Sequence, residues 1–177
     1  GQSNMEWELR KTLEAQQGIA AADTLSRLHF YNMREIARTD AYEWSPAVLD
    51  SMNKLLHYHP TRWERCSAAT AADFSAVAFH FGRILADSLG CHVGLMLNAV
   101  GGSGIEAWID RTTVEREYPQ ILYDWKQNDH IQPWVRGRGQ LNTKQATHNL
   151  QRHPYEPCYL FESGIRPIAD YDVRGVI

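Results

Sequence analysis

The predicted fold is decided by the stretch Gly94-Leu95-Met96-Leu97-Asn98-Ala99-Val100-Gly101-Gly102-Ser103-Gly104-Ile105-Glu106-Ala107-Trp108. Its first half continues an apolar run from Val93 to Val100, which is bounded by glycines and is typical of a buried strand. Gly101 and Gly102 then predict a turn, and a helix follows. A strand, a glycine turn and a helix in this order predict an α/β fold with a parallel sheet, whose ligands bind at the carboxyl ends of the strands.

The residues before this stretch predict a long helix. Thr70 or Asp73 is a candidate for its N-cap, and Gly90 stands where a C-terminal glycine belongs. Its predicted buried face is an apolar stripe at helical spacing, formed by Phe74, Val77, Ala78, Phe81, Ile84, Leu85 and Leu89.

The rest of the chain predicts shorter elements around an irregular excursion. Residues 110–150 are rich in Gln, Asn, His and Arg, which favours an insertion-like region. In chain order, the other predicted elements are a helix at 7–22, a strand at 25–33, a short helix at 50–57, an extended piece at 63–66, a helix at 113–127, an irregular segment at 128–147, a helix at 154–168 and a strand at 173–177.

The composition is that of one globular domain over residues 1–177, with a net charge of -3 and no basic stripe. This balance argues against a nucleic-acid-binding protein. No run is apolar and long enough for a membrane-spanning helix, and no signal peptide is visible. The odd number of cysteines excludes complete internal pairing. Three buried thiols, at Cys66, Cys91 and Cys158, are favoured over the alternative of one disulfide with a free thiol.

The candidate nucleophile is Ser3, which lies between Gln2 and Asn4 in a polar turn. A serine hydroxyl attacks an ester only when a base activates it and N–H groups stabilise the developing oxyanion. Taken alone, such a serine is more typical of a helix cap, and a glycine turn such as Gly101-Gly102 serves equally well for an unusual backbone angle. The sequence around Ser3 is not a G-x-S-x-G elbow, which disfavours an α/β-hydrolase.

Both motifs nevertheless resemble one family. Gly1-Gln2-Ser3-Asn4-Met5 and the glycine turn with Ile105-Glu106-Ala107-Trp108 are similar to the carbohydrate O-acetylesterases of the SGNH-hydrolase superfamily, sialate O-acetylesterases above all. Acetylxylan esterases are also similar. Residues 73–83, 159–168 and 173–177 agree with this resemblance, whereas residues 10–65 and 110–150 match it only loosely.

The resemblance implies a three-layer α/β/α sandwich with a parallel sheet, of SGNH or flavodoxin-like type. It implies an esterase that removes O-acetyl groups from a carbohydrate, either a sialic acid or a related glycan, with acetylxylan as the rival substrate. It also implies no cofactor and an extracytoplasmic location, whether periplasmic, secreted or lysosomal. In the implied site, Ser3 attacks, the oxyanion hole is built from Ser3, Gly101 and Gly102, and the substrate is contacted by Gln2, Asn4, Glu106 and Trp108.

The chain also departs from the family pattern. It lacks the strand that precedes Gly1, and it stops at Ile177 before the family's Trp-Tyr-Gln-Gly-Glu-Ser-Asn and Asp-x-x-His blocks. We therefore expect an incomplete domain whose general base lies outside this chain, supplied by a second chain or a missing segment. Two alternatives stay open, namely a non-catalytic carbohydrate-binding or interaction module, and an unfinished sheet whose apolar edge drives association.

The eight histidines provide no clear base or metal site. His57 with His59, and His148 with His153, lack the carboxylate or cysteine neighbours of a zinc site. Among the six tryptophans, aromatic faces suited to a sugar ring are expected at Trp63, Trp125 or Trp134, although burial in the core explains most tryptophans.

Overall fold

The computed structural model describes residues 2–39 and 42–177. Gly1, the first residue of the serine motif, lies outside the described residues. The described chain divides into two compact units. The first contains residues 2–34, 60–101 and 177, and the second contains residues 35–39, 42–59 and 102–176.

The first unit holds the described strands and the amino-terminal helices. Its three strands are β1 (Leu28–Asn32), β2 (Trp63–Arg65) and β3 (Val93–Leu97), in the order β2-β1-β3. The helices are α1 (Gln2–Met5), a 3₁₀ turn (Leu9–Lys11), α2 (Ala15–Ala22), α4 (Ala68–Ala72) and α5 (Ala76–Leu89). The chain is therefore α/β, and the helix predicted at 7–22 is interrupted after Lys11.

The sheet is mixed, which corrects the prediction of a parallel sheet. β1 pairs in parallel with β3, with Phe30 opposite Leu95, but it pairs antiparallel with β2, with Phe30 opposite Glu64. The parallel pair is the one that the α5-to-β3 pattern predicted. The antiparallel pair involves a three-residue strand that is exposed throughout, so its sequence carries little periodicity from which a direction could be derived.

Helix α5 buries a different face from the predicted stripe. Phe74 and Ala78 are buried as predicted, but the apolar side chains of Val77 (47%), Phe81 (43%), Ile84 (61%) and Leu89 (63%) are exposed. The buried face of the helix consists of Ala76, Ala78, Phe79, Gly82 and Ala86. These mostly small residues let the helix approach the sheet closely, and hydrophobicity alone does not reveal such packing.

Gly82 shows how close this approach is. A Cβ added there would stand 2.9 Å from Leu28 Cδ1 and closer still to Leu95 Cδ1. Phe30 of β1 stacks on Phe74 with ring centroids 4.1 Å apart, which continues the same core. The start of the helix is capped by Ser75, whose hydroxyl accepts the Ala78 N–H at 3.1 Å, rather than by Thr70 or Asp73. Gly90 ends the helix at φ 64°, as predicted.

The second unit is built mainly from short helices. They are α3 (Pro46–Asn53), α6 (Arg111–Glu117), α7 (Pro133–Asn142), 3₁₀ turns at Ile105–Trp108, Pro119–Ile121 and Arg166–Ile168, and a π-helical turn at Phe161–Ile165. α7 corrects the prediction of an irregular segment at 128–147, and the predicted helix at 113–127 ends at Glu117. Residues 173–177 form no strand and are exposed.

A buried histidine organises the core of the second unit. His153 stacks on Trp44 with ring centroids 4.8 Å apart, and Trp125 lies beside it. Its Nδ1 accepts the Tyr155 backbone N–H at 2.9 Å, so the ring proton is on Nε2, which donates to Asn142 Oδ1 at 3.1 Å. Burial lowers the pKa of His153 well below its usual value of 6.5, and the positive charge of Lys126 acts in the same direction. The ring is therefore neutral at pH 7.

A cluster of charges packs beside this core. Glu162, on the π-helical turn, accepts hydrogen bonds from Arg111 Nε at 2.9 Å and from Arg152 Nη2 at 2.8 Å. Arg152 Nε also donates to Glu156 at 2.9 Å. Burial acts to raise the pKa of Glu162, but the hydrogen bonds from the two arginines bring it below its usual value. Burial raises the pKa of Glu156, against the effect of Arg152. The four side chains form a hydrogen-bonded network that holds the turn in place.

The cysteines are free rather than paired. Cys66 and Cys158 are buried, whereas Cys91 is exposed, which corrects one of the three predicted positions. Burial raises the pKa of the Cys66 and Cys158 thiols to about 11. Among the described helices, none has both the length and the apolar character needed to cross a bilayer.

Candidate active site

Ser3 lies on the short helix α1 and is exposed. The Glu6 N–H donates to the Gln2 carbonyl at 3.0 Å, and the Trp7 N–H donates to the Asn4 carbonyl at 3.3 Å, so the serine motif forms a closed helical turn. The predicted neighbours Gln2 and Asn4 are on the same turn. Hydrogen bonds between residues close in the sequence therefore close the turn that carries the serine.

Two hydrogen bonds fix this turn against the first unit. The Leu9 N–H donates to the Phe74 carbonyl at 2.9 Å, and the Ala76 N–H donates to the Trp7 carbonyl at 2.8 Å. Both bonds join the chain after α1 to the start of α5, whose own cap at Ser75 is buried. The serine motif is thus held by the helix that precedes the glycine turn in the sequence.

The structure brings Ser3 next to Gly101. A Cβ added to Gly101 would stand 3.5 Å from Ser3 Cβ. Gly101 follows strand β3 in the same unit, so the glycine turn at the carboxyl end of a parallel strand lies beside the candidate nucleophile.

Sequence reasoning missed Glu6. Its carboxylate lies so close to Gly101 that an added Cβ would collide with Oε1, and the Cδ atom is 3.3 Å from that Cβ position. Glu6 follows Ser3 by three residues, a spacing that places two side chains on the same side of a helical turn. The three-residue spacing could have indicated that Glu6 lies beside Ser3, but only if the motif had been predicted to be helical.

No histidine activates Ser3 within the described part of the first unit. The Ser3 hydroxyl makes no hydrogen bond to a side chain there, and the histidines of the unit lie elsewhere. His29 Nε2 is 2.9 Å from His92 Nδ1, so these two rings pair with each other. His80 is on α5, where its ring contacts Phe79. Gly101 therefore lies beside Ser3, and these histidines make contacts of their own elsewhere in the unit.

Gly102, the other predicted oxyanion residue, belongs to the second unit and is exposed. Its φ of 74° lies in the left-handed region that favours glycine. A Cβ added there would stand 2.7 Å from the Tyr155 hydroxyl and 3.2 Å from Trp134 Nε1. A glycine is thus required both by the backbone angle and by two polar side chains.

Glu106 and Trp108 lie on the 3₁₀ turn that follows. The Trp108 indole N–H donates to Ser103 Oγ at 2.9 Å, and the Glu106 carbonyl accepts the Cys158 N–H at 2.8 Å. The Glu106 carboxylate folds back over Gly104. Both residues are partly buried, and these contacts tie the turn to the rest of the second unit.

A buried polar pair lies outside the predicted site. His57 is fully buried, with Nε2 3.5 Å from Glu35 Oε1, and neither of these atoms has a hydrogen-bond partner in residues 2–39 and 42–177. Over the same residues, no three histidine, cysteine or acidic side chains gather in the way that a metal ion requires.

Comparisons with known proteins find a distant likeness among solved structures. No protein-family model matches the chain, and no curated protein matches it. Among solved structures, it is similar to a carbohydrate acetylesterase from Xanthomonas citri, with 27% sequence identity and a TM-score of 0.48. The alignment covers 65% of this chain and 23% of the acetylesterase, so the chain spans less than a quarter of that protein's length.

Proposed function

We propose that this chain carries the nucleophile and oxyanion turn of a serine esterase that removes O-acetyl groups from a carbohydrate. The observation that carries the proposal is the contact of Ser3 with Gly101. The two residues are far apart in the sequence and stand in the two motifs that resemble the carbohydrate O-acetylesterases. The proposal rests on the motifs and on this contact. It does not rest on the likeness to the Xanthomonas citri carbohydrate acetylesterase, whose TM-score is only 0.48.

The proposed reaction is an acyl transfer in two steps. Ser3 Oγ loses its proton to a base and attacks the acetyl carbonyl, which forms a tetrahedral oxyanion. N–H groups of Ser3, Gly101 and Gly102 stabilise that oxyanion, and its collapse releases the sugar alcohol, which takes up the proton. Water then attacks the acetyl-serine, which releases acetate and restores the hydroxyl. The base of the family is expected in an Asp-x-x-His block outside this chain.

Several finer features belong to the same proposal. The substrate is an O-acetylated sialic acid or related glycan, with acetylxylan as the rival. The fold is an SGNH-type three-layer sandwich that takes in residues 1–177 as one domain, and the protein works outside the cytoplasm. Gln2, Asn4, Glu106 and Trp108 contact the sugar ester or support the residues that do so.

Hydrolysis of two esters tests the proposal. The wild-type chain, Ser3→Ala and the control Ser26→Ala are compared on p-nitrophenyl acetate and on O-acetylated N-acetylneuraminic acid. Ser26 is an exposed serine of the same unit, so its loss leaves the rate unchanged. Loss of the nucleophile lowers kcat by about 10³-fold or more. Equal acetate release by the wild type and Ser3→Ala, at a rate above spontaneous hydrolysis, would contradict the esterase.

One observation favours a second candidate, a carbohydrate-binding module without catalysis. Within the described part of the first unit, the Ser3 hydroxyl is bonded to no side chain that could serve as its base. A folded sample that binds the deacetylated sugar but releases no acetate would favour this second function. Release that depends on Ser3 would exclude it.

A further inference from the structure

Two of the six tryptophans are unavailable to a ligand because they fill the core of the second unit. Trp44 is 4% exposed and Trp125 is 7% exposed, and both rings pack on His153. Trp44 also donates its indole N–H to the Arg38 carbonyl at 3.1 Å. Their burial removes Trp125 from the tryptophans expected to stack on a sugar.

Three further tryptophans have structural roles. The Trp63 ring covers Gly94, where an added Cβ would stand 2.9 Å from Cη2. The indole N–H groups of the other two are occupied, since Trp108 donates to Ser103 at 2.9 Å and Trp7 donates to the Lys11 carbonyl at 3.4 Å.

Trp134 differs from these five. It begins helix α7 and is 53% exposed, and its indole N–H donates to no acceptor in the described part of the chain. Nε1 stands 3.2 Å from the Cβ position of Gly102, beside the Tyr155 hydroxyl. A large aromatic ring is therefore exposed with its one polar group facing the glycine that the sequence resemblance gives as an oxyanion donor.

A neighbouring cation stands over one face of the ring. The Arg138 guanidinium stands over the ring, with its carbon 4.5 Å from the centroid, so one face of the indole is fixed. Gly137, three residues after Trp134 on the same helix, has nothing within 4 Å of its Cβ position. Side chains three residues apart are neighbours on a helix and lean toward its amino terminus. A larger side chain at position 137 would therefore lie toward Trp134.

The glycine at position 137 costs helix stability without a packing reason. A glycine inside an exposed helix is less favourable than alanine by about 1 kcal/mol, and no neighbouring atom excludes a side chain here. Position 137 is thus open, at the expense of helix stability.

We propose that Trp134 is the platform on which a pyranose ring of the carbohydrate stacks, with Trp134 Nε1 donating a hydrogen bond to one of its oxygen atoms. The apolar face of a pyranose suits an indole ring, and its hydroxyl groups suit an N–H donor at the edge of that ring. The Tyr155 hydroxyl is buried and bonds to the Thr39 hydroxyl at 2.7 Å, so it takes no part in this contact. The identification of the ligand as a sugar rests on the proposed function. Binding is nevertheless measurable without hydrolysis.

Calorimetric titration with deacetylated sugars tests the platform. The probes are N-acetylneuraminic acid and xylobiose, and the proteins are the wild type, Trp134→Ala, Trp134→Phe, Gly137→Leu and Trp7→Ala. Trp134→Ala weakens binding of the bound probe about tenfold or more, and Trp134→Phe, which keeps a ring but lacks the N–H, weakens it less. Trp7, which is also 53% exposed and lies near a lysine, is the matched control and leaves Kd unchanged.

Gly137→Leu is the variant that a merely structural role of Trp134 would not explain. It fills empty space, so the protein unfolds at the same or a higher temperature, while sugar binding weakens at least as much as in Trp134→Phe. The platform is overturned if the wild type binds neither probe, if Trp134→Ala and Gly137→Leu bind like the wild type, or if Trp7→Ala loses as much affinity.

The two proposals fail in different ways. Sugar binding that depends on Trp134, with acetate release above the spontaneous rate that Ser3→Ala leaves unchanged, would refute the esterase and support the platform. Acetate release that depends on Ser3, with an unchanged KM for O-acetylated N-acetylneuraminic acid in Trp134→Ala, would support the esterase and refute the platform.

Discussion

The carboxylate of Glu6 lies against the backbone of Gly101 and leaves no room for a side chain there. Ser3 approaches the same point from the same helical turn, since its Cβ is 3.5 Å from the Cβ position of Gly101. The turn of α1 therefore makes two contacts with the glycine turn after β3. The position of Ser3 therefore depends on a glycine at 101, because the methyl group of an alanine there would collide with Glu6.

Gly101→Ala should destabilise the chain and displace Ser3 from the glycine turn. The added Cβ collides with the Glu6 carboxylate, and overpacking of this kind costs about 1–3 kcal/mol. Glu6→Ala in the same chain removes the collision. The double variant should therefore lose less unfolding free energy than the sum of the losses in the two single variants. Urea unfolding of the four proteins measures this coupling, and additive effects would contradict the contact.

The stability of the second unit should fall as the pH drops below 6.5. The unfolded His153 takes up a proton there, while the native ring stays neutral because burial lowers its pKa. The unfolded state then binds more protons than the native state, and the slope approaches about 1.4 kcal/mol per pH unit. Chemical unfolding between pH 7.5 and 5, a range chosen to span the usual pKa, measures the slope.

His153→Gln removes this titration and should flatten the pH dependence over the same range, besides lowering stability at pH 7.5. His130→Gln, at an exposed histidine of the same unit, is the matched control and should keep the slope of the wild type. An equal slope in the wild type and His153→Gln would show that His153 is not the group responsible.

Two helical glycines should respond to alanine with opposite signs. Gly82→Ala places a methyl group against Leu95 and Leu28, so we expect a loss of about 1–3 kcal/mol. Gly137→Ala meets nothing within 4 Å and gains helix propensity, so we expect a gain of about 0.5–1 kcal/mol. Melting curves of both variants and the wild type measure these changes in stability. A lower stability of Gly137→Ala would contradict the open space at position 137.

Two neighbouring phenylalanines of α5 should differ in their contribution to the core. Phe79 is fully buried, so Phe79→Ala should cost about 3–5 kcal/mol. Phe81 is 43% exposed, and Phe81→Ala should cost clearly less, about 1 kcal/mol. Urea unfolding of the two variants compares them directly. Similar losses of stability would contradict the exposure of Phe81 and would favour the buried apolar stripe that the sequence predicted.

The sequence predicted the parts of the fold that local patterns control. Gly90 ends α5 because glycine adopts the left-handed angle, and β3 forms where an apolar run is bounded by glycines. The buried face of α5 was predicted less well, because Phe81 and Ile84 are apolar yet exposed, while Gly82 is buried for its small size. Close packing selects residues by shape, and a hydrophobic pattern does not record shape.

Sequence by itself determined that Ser3 stands in a polar turn, that Gly101 and Gly102 follow an apolar strand, and which family these motifs resemble. Tertiary structure alone decided that Ser3 meets Gly101, that Glu6 occupies the remaining space, and that Trp134 is exposed with its N–H toward Gly102. The reason is physical. Backbone angles and caps depend on neighbours in the chain, whereas a contact between distant residues depends on how the helices and strands pack together.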